Sequence, residues 1–264
     1  MRHQKLIPIY RSIQIIRHSQ RTTLARNSLC CECLTRDRVR LQLTQATKGQ
    51  QYKATHCQAH MSSSGSEEQD NASPRRAAAL IVVDMSVEQM ANVNYRAKEI
   101  TTQCHHLLHS NVFALKIDCR LWLNRPEEST LSWVYPETAQ TLFVAGSSGA
   151  DLIPELKKDL PAEVVFCPKN NYSCFVKSTL RTLLQQNDIT HVYLCGINTD
   201  YCIFATALDA FGLGFRTFVV HDAVSSIRGE PAHEEGLANL ERHFGPTVLV
   251  STQEVLLHST SSCH

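Results

Sequence analysis

The chain has 264 residues, 43% of them hydrophobic and 19% charged, with a formal net charge of +1. That length suits one large α/β domain or two small ones, and the near-neutral balance excludes strong global attraction to nucleic acid or to a membrane. No run of about 18 apolar residues is present, which excludes a spanning helix, and the eleven cysteines, an odd count with several inside strand-like runs, read as free thiols in a reducing compartment.

The charge is unevenly spread. Residues 1–60 carry eleven Lys/Arg against two acids, Glu32 and Asp37, a balance of +9; residues 61–264 carry fifteen bases against twenty-three acids, a balance of −8. The first segment has no sustained apolar period. Its Arg-rich start (Arg2, Arg11, Arg17, Arg21, Arg26) fits a mitochondrial transit peptide, whereas MSSSGSEEQDN from Met61 reads as an ordinary protein start with an upstream extension before it. The two readings carry equal weight, so the expected location is cytoplasmic or mitochondrial. Cys30, Cys31, Cys33 and Cys57 lack the paired spacing of a zinc site. Residues 62–76 have a linker composition. The expected organisation is therefore a basic extension and linker over 1–76, disordered or a transit peptide, and a folded domain over 77–264.

From Ala77 the pattern alternates. AAALIVVD (77–84) is a continuous apolar run, as in a strand buried on both faces. Residues 86–110 place apolar positions at helical spacing. NVFALKID (111–118) is a second strand, 119–150 is irregular, and ADLIPEL a short helix. AEVVFCPK (162–169) is a third strand, followed by an amphipathic helix over 173–187. HVYLCGI (191–197) is a fourth strand, CIFATALDAFG (202–212) a helix closed by glycine, and FRTFVVHD (215–222) a fifth strand. A helix over 231–244 and a sixth strand, TVLVST (247–252), complete the pattern. Strands alternating with helices predict a three-layer α/β/α fold on a six-stranded parallel sheet, Rossmann-like in class.

In a parallel sheet all strand ends share one edge, where ligands bind. Asp84, Asp118, Lys169 and Asp222 stand at such ends, and Cys202 follows the fourth strand. A lysine, a cysteine and carboxylates gathered there are a site hypothesis. Cys202 falls in the first turn of a helix, where unpaired N–H groups and a nearby Lys169 would lower its pKa, and Asp84 could take its proton. Cys167, Cys174 and Cys195 read as buried structural thiols.

Four segments then carry a resemblance. ALIVVDM (79–85), AGSSGADLIPEL (145–156), KNNYSCF (169–175) and GINTDYCIFATALDAFGLGF (196–215), with HDAVSS (221–226) after the last, resemble in order and spacing the isochorismatase-like hydrolases, the family of nicotinamidases and N-carbamoylsarcosine amidases. The resemblance implies a triad of Asp84, Lys169 and Cys202. Cys202 attacks a carbonyl carbon, Asp84 moves the proton to the leaving amine and later activates water, and Lys169 holds both in register. It also implies a cis peptide at Ile197–Asn198 and an oxyanion hole from the N–H groups of Asn198 and Cys202. The substrate is then a small-molecule amide, the nucleophile favouring a C–N bond over a vinyl ether, and the chain a homo-oligomer, a dimer or tetramer.

Departures from the family's pattern sharpen the reading. Nicotinamidases hold a divalent metal through an Asp-x-His pair after the second strand and a further His before the Gly-Thr segment. Here Asp118 is followed by Cys119 and Arg120, and Leu142 stands at the second place. One carboxylate with a cation beside it holds a zinc-type ion poorly, so no metal or other cofactor is expected. Arg120 would pair with Asp118 or with a substrate carboxylate. After Met85 the usual Gln-Asn-Asp-Phe is replaced by Ser86-Val87-Glu88-Gln89, which points to a rebuilt pocket. Trp122, Trp133, Tyr135, Tyr172 and Phe175, together with Tyr201, are candidate pocket residues, half of the aromatics being equally at home in the core. His105, His106 and His109 share one helix and could bind a metal, but that helix precedes the second strand and points away from the active edge, so they read as a surface cluster. Against the metal-independent amidase stand a nicotinamidase with a degenerate metal site and a catalytically altered binding or scaffold protein.

Overall fold

The computed structural model describes residues 78–136 and 143–257. The expected extension over 1–76, with its cysteines, lies outside these residues, as does Leu142. Strand β1 (Ala78–Val83) has all six residues buried. After it come a short helix α1 (Val87–Met90), helix α2 (Ala97–His109) and strand β2 (Leu115–Cys119), buried throughout. Two single-turn helices, α3 (Leu131–Val134) and α4 (Pro154–Lys157), lead into β3 (Val165–Phe166) and α5 (Leu180–Gln186). Strand β4 (His191–Ile197) enters a π-helical turn (Thr199–Ile203) continuous with α6 (Phe204–Gly212). Strand β5 (Arg216–Ser225), helix α7 (Glu230–Phe244), strand β6 (Leu249–Val250) and helix α8 (Thr252–Leu257) follow.

All strand pairs are parallel, in the order β3-β2-β1-β4-β5-β6. The order reverses between β1 and β4, so the two central strands open a crevice at their C-terminal ends. Alternation along β1 explains why no residue faces water. Ala79, Ile81 and Val83 pack with Leu180, Leu184, Ala207, Ala210 and Leu240 from α5, α6 and α7. Leu80 and Val82 face Ile100, Leu107, Leu108, Leu156 and Val255 from α2, α4 and α8. Each such large side chain stabilises the fold by roughly 1.5–3 kcal/mol of apolar burial. Among the described residues no helix is long and apolar enough to cross a membrane.

The elements differ from the sequence expectation where hydrogen bonds outside the helices take over. The helical spacing over 86–110 is cut in two. The Val87 and Glu88 N–H groups are tied to the Asp151 and Gly149 carbonyls, at 2.9 and 3.0 Å, and Arg96 adopts a left-handed φ of 55° before α2 starts. The helix expected over 173–187 begins only at Leu180. Its first half is held in turns by serines: Ser173 Oγ accepts the Phe175 N–H at 3.2 Å, and Ser178 Oγ bonds the Cys174 carbonyl and the Leu180 N–H. Hydroxyls that bind the nearby backbone compete with helix in this way. The third strand shrinks to two residues, yet the Cys167 and Lys169 N–H groups still reach the Asp118 and Arg120 carbonyls at 2.9 and 3.0 Å. Past β6 the expected strand is replaced by α8. Asp222 is not at a strand end, because β5 runs on to Ser225. Its Oδ1 instead accepts the N–H (2.8 Å) and hydroxyl (3.0 Å) of Thr252, capping α8.

Candidate active site

Asp84 follows β1 with a φ of 53°, a left-handed conformation that Asp adopts more readily than most residues. The chain thereby leaves the sheet. The Asp84 N–H still pairs with the Cys119 carbonyl at 3.0 Å, and Oδ1 accepts the Leu121 N–H at 2.9 Å. Lys169 is fixed by the extended pairing beyond β3 and is 1% exposed. Cys202, 2% exposed, stands in the π-helical turn, where the Ile203 N–H reaches back five residues to the Asn198 carbonyl at 3.0 Å. The Ile197–Asn198 peptide bond is cis. β4 can run this close to β1 because residue 196 is glycine: a Cβ there would lie 2.1 Å from the Val83 carbonyl oxygen.

These three side chains meet inside the protein. The Lys169 ammonium nitrogen lies 2.8 Å from Asp84 Oδ2 and 3.3 Å from Cys202 Sγ, and it also donates to the carbonyls of Asn171 (2.8 Å) and Tyr172 (3.0 Å). Three ammonium hydrogens thus face four acceptors. Asp84 Oδ2 is the acceptor left without an aligned donor, and the Cys202 thiol is within hydrogen-bonding reach of the same carboxylate. Burial alone would pull the Lys169 ammonium down, but the Asp84 and Cys202 charges outweigh it and the net shift is upward. The lysine therefore stays cationic. Burial pushes the Cys202 thiol well above its ordinary value; Lys169 pulls it back only in part, and Asp84 adds to the rise. This reverses the expectation of a lowered thiol: at this buried position desolvation outweighs the pull of the Lys169 cation.

The turn that carries Cys202 is buttressed by residues the sequence reading passed over. Asn198 Oδ1 accepts the Ile227 N–H at 2.9 Å, and Thr199 Oγ1 bonds buried His233 Nδ1 at 2.9 Å. Arg228 pairs with Asp200 at 3.0 Å. Gly236 of α7 lies against the turn so closely that a Cβ would sit 2.9 Å from the Asp200 nitrogen. Thr206 Oγ1 takes the Cys174 N–H at 3.1 Å, anchoring the loop whose carbonyls face Lys169. Only Asn198 is singled out as a site residue by the sequence, and then for its backbone; Thr199, Asp200 and Thr206 fall inside the 196–215 motif without a role of their own, and Arg228, His233 and Gly236 lie outside every motif.

Around the triad the aromatic candidates divide. The rings of Tyr172 and Tyr201 stack at 5.6 Å, the Tyr172 hydroxyl bonds the Tyr135 hydroxyl at 3.2 Å, and the Arg228 guanidinium lies 5.5 Å over Tyr201. Burial pushes the Tyr172 phenol up, with Tyr135 and Cys202 adding to the shift. Trp133 is 81% exposed. Phe175 stacks on Phe215 in the core. Trp122 packs edge-on against Phe166 and with Lys169, Asn124 and Lys177 lines a cavity of about 240 Å³.

The position of the family's metal carboxylate is filled by the chain's own cation. Arg120 Nε donates to both Asp118 oxygens, at 2.9 and 3.2 Å, and its guanidinium also bonds the Ala150 carbonyl. It lies 4.6 Å over Phe166 and 5.4 Å over Trp122. The Asp118–Arg120 pairing weighed in the sequence is therefore the one formed. A divalent ion would have to displace a hydrogen-bonded cation and would find no histidine among the described residues there, so this donor set does not fit a zinc-type metal.

Comparison with known proteins agrees with this architecture. A profile for the isochorismatase domain matches residues 78–253. The ureidoacrylate amidohydrolase RutB of Variovorax paradoxus is 34% identical over 110 residues, 42% of this chain and 43% of that protein. An uncharacterized isochorismatase family protein, PncA, of Bacillus subtilis is 32% identical over 123 residues, 43% of this chain and 66% of that one. The matches thus span less than half of the RutB relative and just under two thirds of PncA. Among solved structures, a cysteine hydrolase from Pseudomonas syringae superposes with a TM-score of 0.60 at 20% identity, over 71% of this chain and 94% of that one. A pyrazinamidase of Pyrococcus horikoshii in complex with zinc gives 0.53 at 26% identity, over 66% and 99%.

Proposed function

The chain belongs to the isochorismatase family, and we propose that it hydrolyses a C–N bond of a small amide or ureide by covalent cysteine catalysis, without a metal. The observation that carries this reading is the single buried Lys169 ammonium, 2.8 Å from Asp84 and 3.3 Å from Cys202.

In the proposed reaction the Cys202 proton passes to Asp84 Oδ2, the oxygen without an aligned donor, as Sγ bonds to the substrate carbonyl carbon. Lys169 stays protonated throughout and holds Sγ and the Asp84 carboxyl in register. The N–H groups of Asn198 and Cys202 receive the oxyanion. Protonated Asp84 then gives its proton to the leaving nitrogen, the C–N bond breaks, and a thioester remains on Cys202. Asp84 next takes a proton from water, whose oxygen attacks the thioester carbon; collapse expels the thiolate, which regains the proton. One water is consumed, and an acid and an amine leave.

Metal independence rests on Arg120, which occupies both oxygens of Asp118. The names of the relatives put ureides and carboxamides of aromatic heterocycles among the substrates to try. A screen of small amides, ureides and nicotinamide, with intact-mass detection of an acyl adduct mapped to Cys202, tests the proposal. Turnover with an adduct on Cys202 is the expected result. Peptide mapping is needed because Cys167, whose thiol is lowered to about 7 mainly by a hydrogen bond from Cys119, is a second candidate for labelling. Turnover unaffected by loss of the Cys202 sulfur would overturn the covalent mechanism.

A further inference from the structure

On the opposite edge of the sheet three side chains converge that have no part in the hydrolase reading. His105 and His109, one helical turn apart near the end of α2, stack ring on ring at 4.0 Å. Both face Asp159, in the segment between α4 and β3. His105 Nε2 lies 3.0 Å and His109 Nε2 3.9 Å from Asp159 Oδ2, and the three ligand atoms all lie within 4.8 Å of one another. We propose that His105, His109 and Asp159 form a divalent-metal site of zinc type, with its remaining position open to water.

The Nε2–Oδ2 spacing is close to what an ion needs, and the stacked imidazoles would rotate about χ2 to bring both Nε2 lone pairs onto it. Tetrahedral zinc with bonds of about 2.0–2.1 Å holds its ligand atoms roughly 3.3 Å apart, a value that the two contacts with Asp159 bracket. The surroundings of His109 are those of a ligand. Nδ1 lies 2.9 Å from the His105 carbonyl oxygen, the outer contact that fixes a ligating histidine with Nε2 turned to the metal. Nε2 meanwhile lies 2.9 Å from the Asp159 carbonyl oxygen. Carbonyls only accept, and a neutral imidazole has one N–H. A neutral His109 satisfies one carbonyl and leaves the other nitrogen's lone pair pointed at an acceptor; a proton on both ring nitrogens or a cation at Nε2 each removes that conflict, and metal titration tells the two apart. A further carboxylate, Glu163, is near enough for His109 to help lower its pKa, after its backbone bond and its Lys116 partner. Lys116 is paired with Glu163 at 3.0 Å and so adds little uncompensated positive charge.

Two imidazoles and one carboxylate suit zinc, cobalt or copper over magnesium or calcium. The side chains are partly exposed, at 35% for both histidines and 53% for Asp159, so the ion exchanges with solvent without unfolding. His106, its ring 6.3 Å from that of His105, is exposed and is not one of the three converging groups. A bound ion would clamp the end of α2 to the segment that feeds β3, fifty residues on. The sequence shows the histidine pair but not its carboxylate, which is why the pair reads there as a surface cluster.

The test uses the full-length chain, titrated with Zn²⁺ by calorimetry and with Co²⁺ by visible absorption, against a His105→Gln/His109→Gln double variant and against Asp159→Asn. Wild type should bind one equivalent more than the double variant, with ligand-field bands and no thiolate-to-cobalt charge transfer, which separates this site from any cysteine site. Asp159→Asn, a conservative change at an exposed position, should weaken that equivalent at least tenfold, and Zn²⁺ should raise Tm in wild type more than in either variant. Hydrolysis should be equal in all three, so failure here leaves the hydrolase reading standing. Equal Zn²⁺ and Co²⁺ binding by wild type and the folded double variant, or unchanged affinity in Asp159→Asn, would overturn the site.

Discussion

Two buried carboxylates stand at the ends of neighbouring strands, each with its own cation, and their uses differ. Asp84 lies 2.8 Å from Lys169 and Asp118 lies 2.9 Å from Arg120. The pairs match in charge, depth and distance. They differ in what else the cation touches. Lys169 reaches a thiol as well as its carboxylate, and its pairing leaves Asp84 Oδ2 without an aligned donor. Arg120 spends Nε on both Asp118 oxygens and packs its guanidinium on a carbonyl and two rings. A compact ammonium short of hydrogens keeps a proton acceptor open, while a planar fork with donors to spare closes one. The pair proposed to react and the pair that holds structure are told apart by the third partner, not by the ion pair itself.

The largest expected effects break the reactive side. Cys202→Ala should cost several decades of kcat while the melting transition stays in place, since a lost nucleophile normally does. Asp84→Asn should cost a similar factor and yet react faster with iodoacetamide at Cys202 at a fixed neutral pH. The Asp84 charge is one of the causes holding the thiol up, so its removal leaves more thiolate. Slower alkylation in that variant would show that Asp84 does not bear on the thiol as described.

Next in size is a stability effect on the structural side. Arg120→Met strands a buried carboxylate, at a cost of about 3–5 kcal/mol in denaturant unfolding. The double change Asp118→Leu/Arg120→Met should recover most of it, because no charge is then left buried. Burial pushes the Asp118 carboxyl up more than Arg120 pulls it down. A folded-state value above the unfolded one contributes stability that is complete below the unfolded value and is lost as pH rises through the folded one. The deficit of Arg120→Met should therefore be smallest at low pH and grow as pH rises through the carboxylate range. A pH-independent deficit would mean that Arg120 acts by packing alone.

The smallest expected effect is none. Activity should survive a strong chelator, even one that strips the opposite edge of the sheet, because Asp118 is already occupied. Loss of activity reversed by one added metal would merge the two carboxylates into a single catalytic system.

The sequence made these carboxylates visible because both close apolar runs, and a parallel sheet brings strand ends together whatever lies between them. It made Lys169 and Cys202 visible by motif. Their electrostatics were not legible: a helix terminus and a lysine argue for a lowered thiol, and only the depth of Cys202 reverses the sign. Asp222 was misplaced for a related reason, since the apolar period does not tell that β5 continues three residues past it. The helix over 173–187 failed at its first half because serine hydroxyls claim that backbone locally. The order of the sheet cannot be read from spacing, and neither can Asp159, which meets its histidines only across the fold.

Gly236 has no chemistry of its own, yet α7 touches the Cys202 turn there with room for a hydrogen atom and nothing larger: a Cβ would lie 2.9 Å from the Asp200 nitrogen and 3.0 Å from Thr199. The usual gradient of tolerance, in which alanine is forgiven and bulk is not, has no first step at this position. A mutational scan scored only by turnover would file a helical glycine beside Cys202, and a lineage drifting in α7 could change every face of the helix except the one that gauges where the sulfur stands.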